Sequence, residues 1–365
     1  MITDIKNRLA ALFQSTGSKT DIAVFLGGFA FDFLTLSEID DPISITQQTV
    51  YLVLIGSILH FEFLESAGLI TVPEKMERVW RYRRWAAHFF LGSLLNLYSL
   101  FFLKSSSIFS TGLFTLVLVI LLIANESKRV QSSDVDLKFG LYVVCLFSFF
   151  SILVPLLLGF VGTVPFLLSL SMTAVGAGVF YWLLAKRAID RKLLLRKFAA
   201  PSLGTLFVVL IFYIFGWIPP VPLSVEELGV YHRVEKSGNQ YVLFHERPWW
   251  KFWKTGDREF RAEPGDKIYV FTRVYSPARF SDAVFVRWLY KDPRTGWQST
   301  DRIPIEITGG RKGGYRGFAV KQNYAPGEWR VNVETTDGRE IGRAYFTVTK
   351  TDTVSPERLF KTETR

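Results

Sequence analysis

Asp32 interrupts an otherwise apolar stretch near residues 21–38. A carboxylate within hydrocarbon costs ~2.5–3.5 kcal/mol on insertion scales, so it must face neighbouring helices and find a partner. Asn96, or Lys104 reached from the outer end of its span, can supply one. Such a group serves either a proton or ion relay or a structural hydrogen bond, and the structural role is the commoner one. His60, Glu62 and Glu65 cluster at the end of a second apolar stretch, and His88 opens a third. His and Glu can ligate a metal or act as an acid–base pair. The zincin helix needs two His four residues apart, which His60-x-Glu62 does not provide. Polar groups capping a span and meeting Arg83 or Arg84 are the expectation.

Two further clusters lie in the C-terminal third. Trp249-Trp250-Lys251-Phe252-Trp253-Lys254 interleaves rings with cations. It fits an interfacial belt with lysines at phosphate level, an aromatic platform for glycans, or alternate rings filling a core. The run Gly309-Gly310-Arg311-Lys312-Gly313-Gly314-Tyr315-Arg316 is glycine-rich and basic. It lacks the GxxxxGK[ST] order and leads into an extended segment, so it is no phosphate-binding P-loop. Arg311, Lys312 and Arg316 are instead candidates for an anion-contacting loop. No GxSxG, HExxH or paired catalytic carboxylates occur, and the lone Cys145 excludes a disulfide or cysteine-zinc framework. No catalytic residue, metal ligand or cofactor is expected.

The elements that must position these residues divide at about residue 220. Before it the chain is mostly apolar, which accounts for the 49% hydrophobic composition of the 365 residues. Seven stretches, near 21–38, 47–64, 86–103, 107–124, 139–159, 161–184 and 200–219, approach the ~20 residues needed to cross a bilayer. Residues 1–20 have helical amphipathic spacing and suit a cytoplasmic surface segment. Seventeen of the 18 Lys/Arg before residue 220 fall in alternate loops; only Lys104 falls on the other side. By the positive-inside rule this puts the N-terminus in the cytoplasm and, with seven spans, the C-terminal part outside. Gly27-Gly28 and the Gly176/Gly178 pair are small-residue positions where helices can approach.

Past Pro222 the pattern changes to period-two alternation. Ile268, Val270 and Val274 share one strand face, as do Val284, Val286 and Trp288, then Trp329, Val331 and Val333, and finally Ala344, Phe346 and Val348. Ser237-Gly238-Asn239 and Asp337-Gly338 mark hairpins. The expectation is a Pro-rich linker over 220–227, an all-β, Ig-like antiparallel sandwich over 228–350, and a loose polar tail over 351–365. With 25 Lys/Arg against 19 Asp/Glu after residue 220, this part is basic and favours anionic partners.

The residues Arg273-Val274, Arg287-Trp288, Ile303-Pro304, Gly314-Tyr315-Arg316-Gly317, Pro326-Gly327-Glu328-Trp329-Arg330 and Thr336 to Arg343 resemble a bacterial family of unknown function, DUF2914. Similar members carry that domain after a multi-span membrane region. The resemblance implies a bacterial inner-membrane protein and carries no catalytic residue with it. Together these readings favour a multi-pass helical bundle presenting a periplasmic sandwich that binds an envelope component. The partners would be the lipid bilayer, an anionic lipid or cell-wall polymer, or another envelope protein, and not nucleic acid. A transporter using Asp32, or an enzyme on a lipid-linked substrate, is the alternative.

Overall fold

The computed structural model describes residues 39–107, 110–125, 135–187, 190–251, 254–277, 280–308, 314–351 and 358–365. The chain forms two units: a helical one (Met1–Leu103, Thr111–Pro155, Thr163–Ile218) and a β one (Lys104–Ser110, Leu156–Gly162, Pro219–Arg365).

The helical unit contains α1 (Pro42–Ser66), α2 (Glu74–Trp80), α3 (Arg83–Lys104), α4 (Gly112–Asn125), α5 (Val135–Leu158) and α6 (Thr163–Ala185). It ends with α7 (Arg191–Ile214), which includes a π-helical turn over Leu195–Ala199. Asp41 starts α1 by accepting from the amides of Ile43 and Ser44, with Pro42 in the first turn where no amide is needed. A Schellman closure ends α7. The Gly216 amide donates to Tyr213 O and the Trp217 amide to Phe212 O, with Gly216 at φ +70°. Five described helices are long and apolar enough to cross a membrane: α1, α3, the 137–158 part of α5, α6 and α7. The 14-residue α4 is apolar, but at ~21 Å falls short of the ~30 Å hydrocarbon layer. The stretches 1–20 and 21–38 lie outside the described residues. Of the seven expected spans, five are represented by long apolar helices among the described residues, so the count of seven is not reached there. The expected last span also shifts. Its cations at 191–197 are helical rather than loop, so α7 begins at Arg191 instead of 200.

Helix α5 supplies much of this unit's interior. Phe139 packs its ring against Phe63, Phe180 and Phe198 at 5.9, 5.2 and 4.8 Å. Tyr142 lies so near Gly56 that an added Cβ would sit 2.7 Å from its hydroxyl, so α1 and α5 touch through a small residue. Gly176 and Gly178 have no such close neighbour.

Among the described residues the β unit has eleven strands: β1 (Ser224–Tyr231), β2 (Arg233–Ser237), β3 (Gln240–His245), β4 (Glu259–Ala262), β5 (Ile268–Tyr275), β6 (Ser281–Asp292), β7 (Gly296–Thr308), β8 (Tyr315–Lys321), β9 (Gly327–Glu334), β10 (Glu340–Lys350) and β11 (Lys361–Thr364). They form sheets in the orders β1-β5-β8, β4-β10-β9-β6-β7 and β11-β3-β2. The alternating faces read from sequence meet between the first two sheets. Ile268, Val270 and Val274 pack in one core with Val284, Val286, Trp288, Trp329, Val331 and Val333. A second core (Tyr231, Val234, Tyr241, Leu243, Phe271) binds the third sheet to the other face of β5. The unbroken apolar run Ile268-Tyr269-Val270-Phe271 is the sequence mark of a strand covered on both faces.

Three expectations are corrected here. The 220–227 segment is not a free spacer: Leu223 is fully buried in the sandwich core and β1 already begins at Ser224. The 351–365 segment is not loose throughout, because β11 pairs antiparallel with β3. The sandwich is not wholly antiparallel, since β4 pairs parallel with β10.

Candidate functional site

The outer face of the five-stranded sheet carries an unusual concentration of charge. Register sets Arg343 on β10 opposite Asn332 on β9, Asn332 opposite Arg287 on β6, and Arg287 opposite Arg302 on β7. Side chains alternate along a strand, so the inward neighbours of these residues (Ala344, Val331, Val333, Val286, Trp288) fill the core while the row points outward. At ~4.8 Å between strands, the row spans roughly 14 Å. Placing Arg287 directly opposite Arg302 is destabilising unless negative charge intervenes.

The intervening charge is partial. Glu334 has a 4% exposed side chain, with Oε2 3.1 Å from Arg287 Nε but without hydrogen-bond alignment. Burial pushes the Glu334 carboxyl up, against the pull of Arg287. Asn332 is buried too, and its Oδ1 has no hydrogen-bond partner. Arg302 donates to the carbonyls of Thr335 and Thr336 at 3.1 Å and lies 3.7 Å over the Phe285 ring. Arg343 is held by Glu340 and donates to the Tyr345 hydroxyl at 3.0 Å.

Aromatic rings flank the row one register further along. Trp297 lies 5.8 Å from Tyr345, and the Arg330 guanidinium sits 4.9 Å over Trp297. Guanidinium groups bind carboxylate or phosphate through paired hydrogen bonds, and flat rings stack on apolar faces such as those of sugars. Together they form a surface suited to an anionic, ring-bearing ligand. Sequence reasoning found the inward faces of these strands but not this row. The available signal was Arg330 and Asn332 alternating with Trp329, Val331 and Val333, and the cross-strand register was missing.

The residues singled out from sequence do not converge. Asp32, Trp253, Arg311 and Lys312 lie outside the described residues. Asn96 is half-buried in the middle of α3. Glu62 is buried and pairs with Lys138 of α5 at 3.0 Å. Glu65 takes Arg83 at 3.1 Å and the Trp80 indole at 2.8 Å, the capping role expected. His60 is edge-on to Phe180 at 5.6 Å, and His88 Nδ1 lies 3.1 Å from Asn125 Nδ2. No group of His, Cys, Asp or Glu among the described residues could hold a metal ion. Trp249, Trp250 and Lys251 form a 3₁₀ turn in which the two rings are 81% and 51% exposed, so these rings do not fill the core. Lys251 lies 5.0 Å over Trp250, and the Lys254 amide donates to Lys251 O. Arg316 belongs to β8 and faces Arg273 of β5, not to a loop as expected.

The row sits within a stretch of recognisable kinship. Residues 281–348 match the family described as "Protein of unknown function (DUF2914)". That match takes in β6 to β10 and so contains Arg287, Arg302, Arg330, Asn332 and Arg343. Among solved structures the chain is similar to an immunoglobulin-like protein from Pseudomonas aeruginosa, at 14% identity over 35% of this chain and 98% of that one, TM-score 0.22. It is also similar to a β-glucosidase from Listeria innocua in complex with glucose, at 11% identity over 37% of this chain and TM-score 0.21. A Bifidobacterium adolescentis β-glucosidase matches at 10% identity over 37% of this chain, TM-score 0.21. This chain spans 17% and 18% of those two enzymes. No curated protein matches it.

Proposed function

We propose that this protein is a membrane-anchored binding protein whose β unit captures an anionic glycan of the cell envelope on the arginine row, without catalysis. The observation that carries the reading is Arg343, Asn332, Arg287 and Arg302 in one line across four strands, flanked by Trp297 and Tyr345. Arginine forks answer the carboxylate or phosphate, and the rings answer the sugar face. The long apolar helices supply the anchor. The seventeen-to-one division of cations supports a cytoplasmic N-terminus in a bacterial inner membrane and a periplasmic β unit, a reading that counts the 21–38 stretch as a span and needs the short α4 to cross through local thinning of the bilayer.

The test is binding by the full chain in lipid nanodiscs to a soluble polyuronate, with neutral dextran and anionic lipid vesicles as comparisons. Polyuronate capture should fall about tenfold for Arg302→Gln and again for Arg330→Gln, with dextran ignored. Equal capture by the variants would sink the glycan reading. Vesicle capture that depends on Trp249 and Lys251 instead would move the site to the exposed turn. A reporter fused after Lys350 should be active only outside the cytoplasm.

A further inference from the structure

Helices α1 and α3 are each long and apolar enough to cross a membrane, and α2 lies between them in the chain. Glu65 near the end of α1 meets Arg83 at the start of α3 at 3.1 Å, so both helices end at one level. A short segment joining two spans there stays where they leave the hydrocarbon. No residue of α2 is buried. The helical unit grips it on one side only, where Trp80 donates to Glu65 at 2.8 Å and meets the Phe61 ring edge-on at 6.4 Å. Met76, Val79, Tyr82 and Trp85 are all more than half exposed. A helix of 7 residues does not persist in water without a covering surface. Met76 and Val79 are one turn apart on one face, and Glu77 lies on the other, which is the pattern of a helix lying in a membrane interface.

Basic groups surround that apolar face. Lys75, Arg78, Arg81 and Arg84 are exposed, and none forms an ion pair among the described residues. The end of α6 and the start of α7 share this end of the unit. Phe180 of α6 and Phe198 of α7 both pack on Phe139, next to the Lys138 that pairs with Glu62 of α1. Lys186, Arg187, Arg191, Lys192 and Arg196 are exposed there too, and Lys186 stands 3.5 Å over the exposed ring of Trp182. Against these cations stand the exposed carboxylates of Glu74, Glu77 and Asp190. Rings at headgroup depth with cations among them fit an anionic leaflet, where each Lys or Arg near the surface strengthens attraction about fivefold.

We propose that α2 lies flat in the headgroup layer, with Met76 and Val79 at the acyl boundary, and that Lys75, Arg78, Arg81 and Arg84 bind the headgroups of anionic phospholipid. This surface acts whichever ligand the arginine row takes. The test uses the full chain in nanodiscs with a bimane label on Val79→Cys; Cys145 is buried, so the label goes to the new thiol. The nanodiscs carry rising mole fractions of brominated phosphatidylglycerol or brominated phosphatidylcholine, whose chains quench a label they touch. Half-quenching should need at least fivefold less phosphatidylglycerol than phosphatidylcholine. A label on Glu77→Cys should be quenched less than half as strongly. Combining Arg78→Gln, Arg81→Gln and Arg84→Gln should bring the two lipids within twofold, and a preference that survives this change overturns the role of the cations. No quenching at Val79→Cys in either lipid overturns the immersion of α2. Equal half-quenching by the two lipids in that same chain overturns the anionic preference without recourse to the triple variant. A preference abolished by millimolar glycerol phosphate would assign the cations to a soluble phosphate and overturn the lipid reading.

Discussion

The two units treat charge in opposite ways. In the helical unit the buried ions are matched one to one: Glu62 with Lys138, both side chains under 10% exposed, and Glu65 with Arg83 at its edge. In the β unit four arginines (Arg287, Arg302, Arg330, Arg343) share one sheet face, with buried Glu334 and Glu340 as their carboxylates. Desolvation explains the difference. An ion among apolar helices is tolerated only when paired, whereas on the sheet face Arg302 is exposed and Arg287 and Arg330 are half-exposed, so water can support charge there beyond what the buried carboxylates match. Pairing is a condition of folding in the first unit, and surplus is a resource in the second.

The largest effect should come from breaking a pair. Lys138→Met leaves Glu62 buried without its cation and should cost about 3–5 kcal/mol. Combining it with Glu62→Leu should recover most of that loss. Thermal melts of detergent-solubilised protein, followed by helical circular dichroism, would show it. A double variant as unstable as the single one would mean that packing, not charge, holds this site.

A second test concerns groups that offset each other inside the β unit. Burial pushes the Asp257 carboxyl up to about 7 from an ordinary 3.8, and burial beside Arg358 pushes His232 down to about 4 from 6.5. Gly256, at φ +62°, lets this segment pass where a Cβ would strike Val230 O. The folded state therefore holds an extra proton on Asp257 between pH 4 and 7, and lacks one on His232 between pH 4 and 6.5. Asp257 alone makes stability fall as pH rises through that window, and His232 alone makes it rise. Together they should leave stability nearly flat. His232→Gln should expose the fall, roughly 2–3 kcal/mol between pH 4 and 7, and Asp257→Asn the matching rise to pH 6.5. Tryptophan-monitored denaturation at several pH values would read both slopes. A wild-type profile as steep as either variant's would refute the offset.

Next in size is the row. Glu334→Gln removes the buried carboxylate facing Arg287 and should tighten polyuronate capture several-fold while costing about 1–3 kcal/mol of β-unit stability. Weaker capture would mean that Glu334 orients the arginines rather than competing for them.

How much of this was legible follows from which interactions are local. The inward faces of β5, β6, β9 and β10 were readable because alternation needs only one strand at a time. The Asp337-Gly338 turn was readable for the same reason. The arginine row was not, because Arg287 and Arg302 become neighbours only through a register with a bulge at Trp288/Leu289. The Glu62–Lys138 pair joins helices 76 positions apart, so each residue alone resembled an interfacial charge. Residues 351–365 read as tail because their polarity hides two arginines whose acceptors lie more than 90 positions away. The mark of the third sheet is the double-sided apolar run of β5, which shows that a second layer covers that strand but not which strands form it.

The smallest expected effect separates distance from environment. Lys291 and Glu328, on neighbouring strands at the rim of the arginine face, approach to 2.7 Å, closer than the 3.0 Å of Lys138 and Glu62. If separation set the energy, the rim pair would be the stronger. Its side chains are 46% and 56% exposed, however, so water screens the attraction and ordering two long side chains offsets what remains. Glu328→Gln should therefore change β-unit stability by no more than about 0.5 kcal/mol, and the change should shrink in 1 M salt. The loss for Lys138→Met should persist at that salt concentration, because ions do not enter a dry contact between helices. Measured side by side, a rim substitution as costly as the buried one would show that the two units do not differ in how they hold charge.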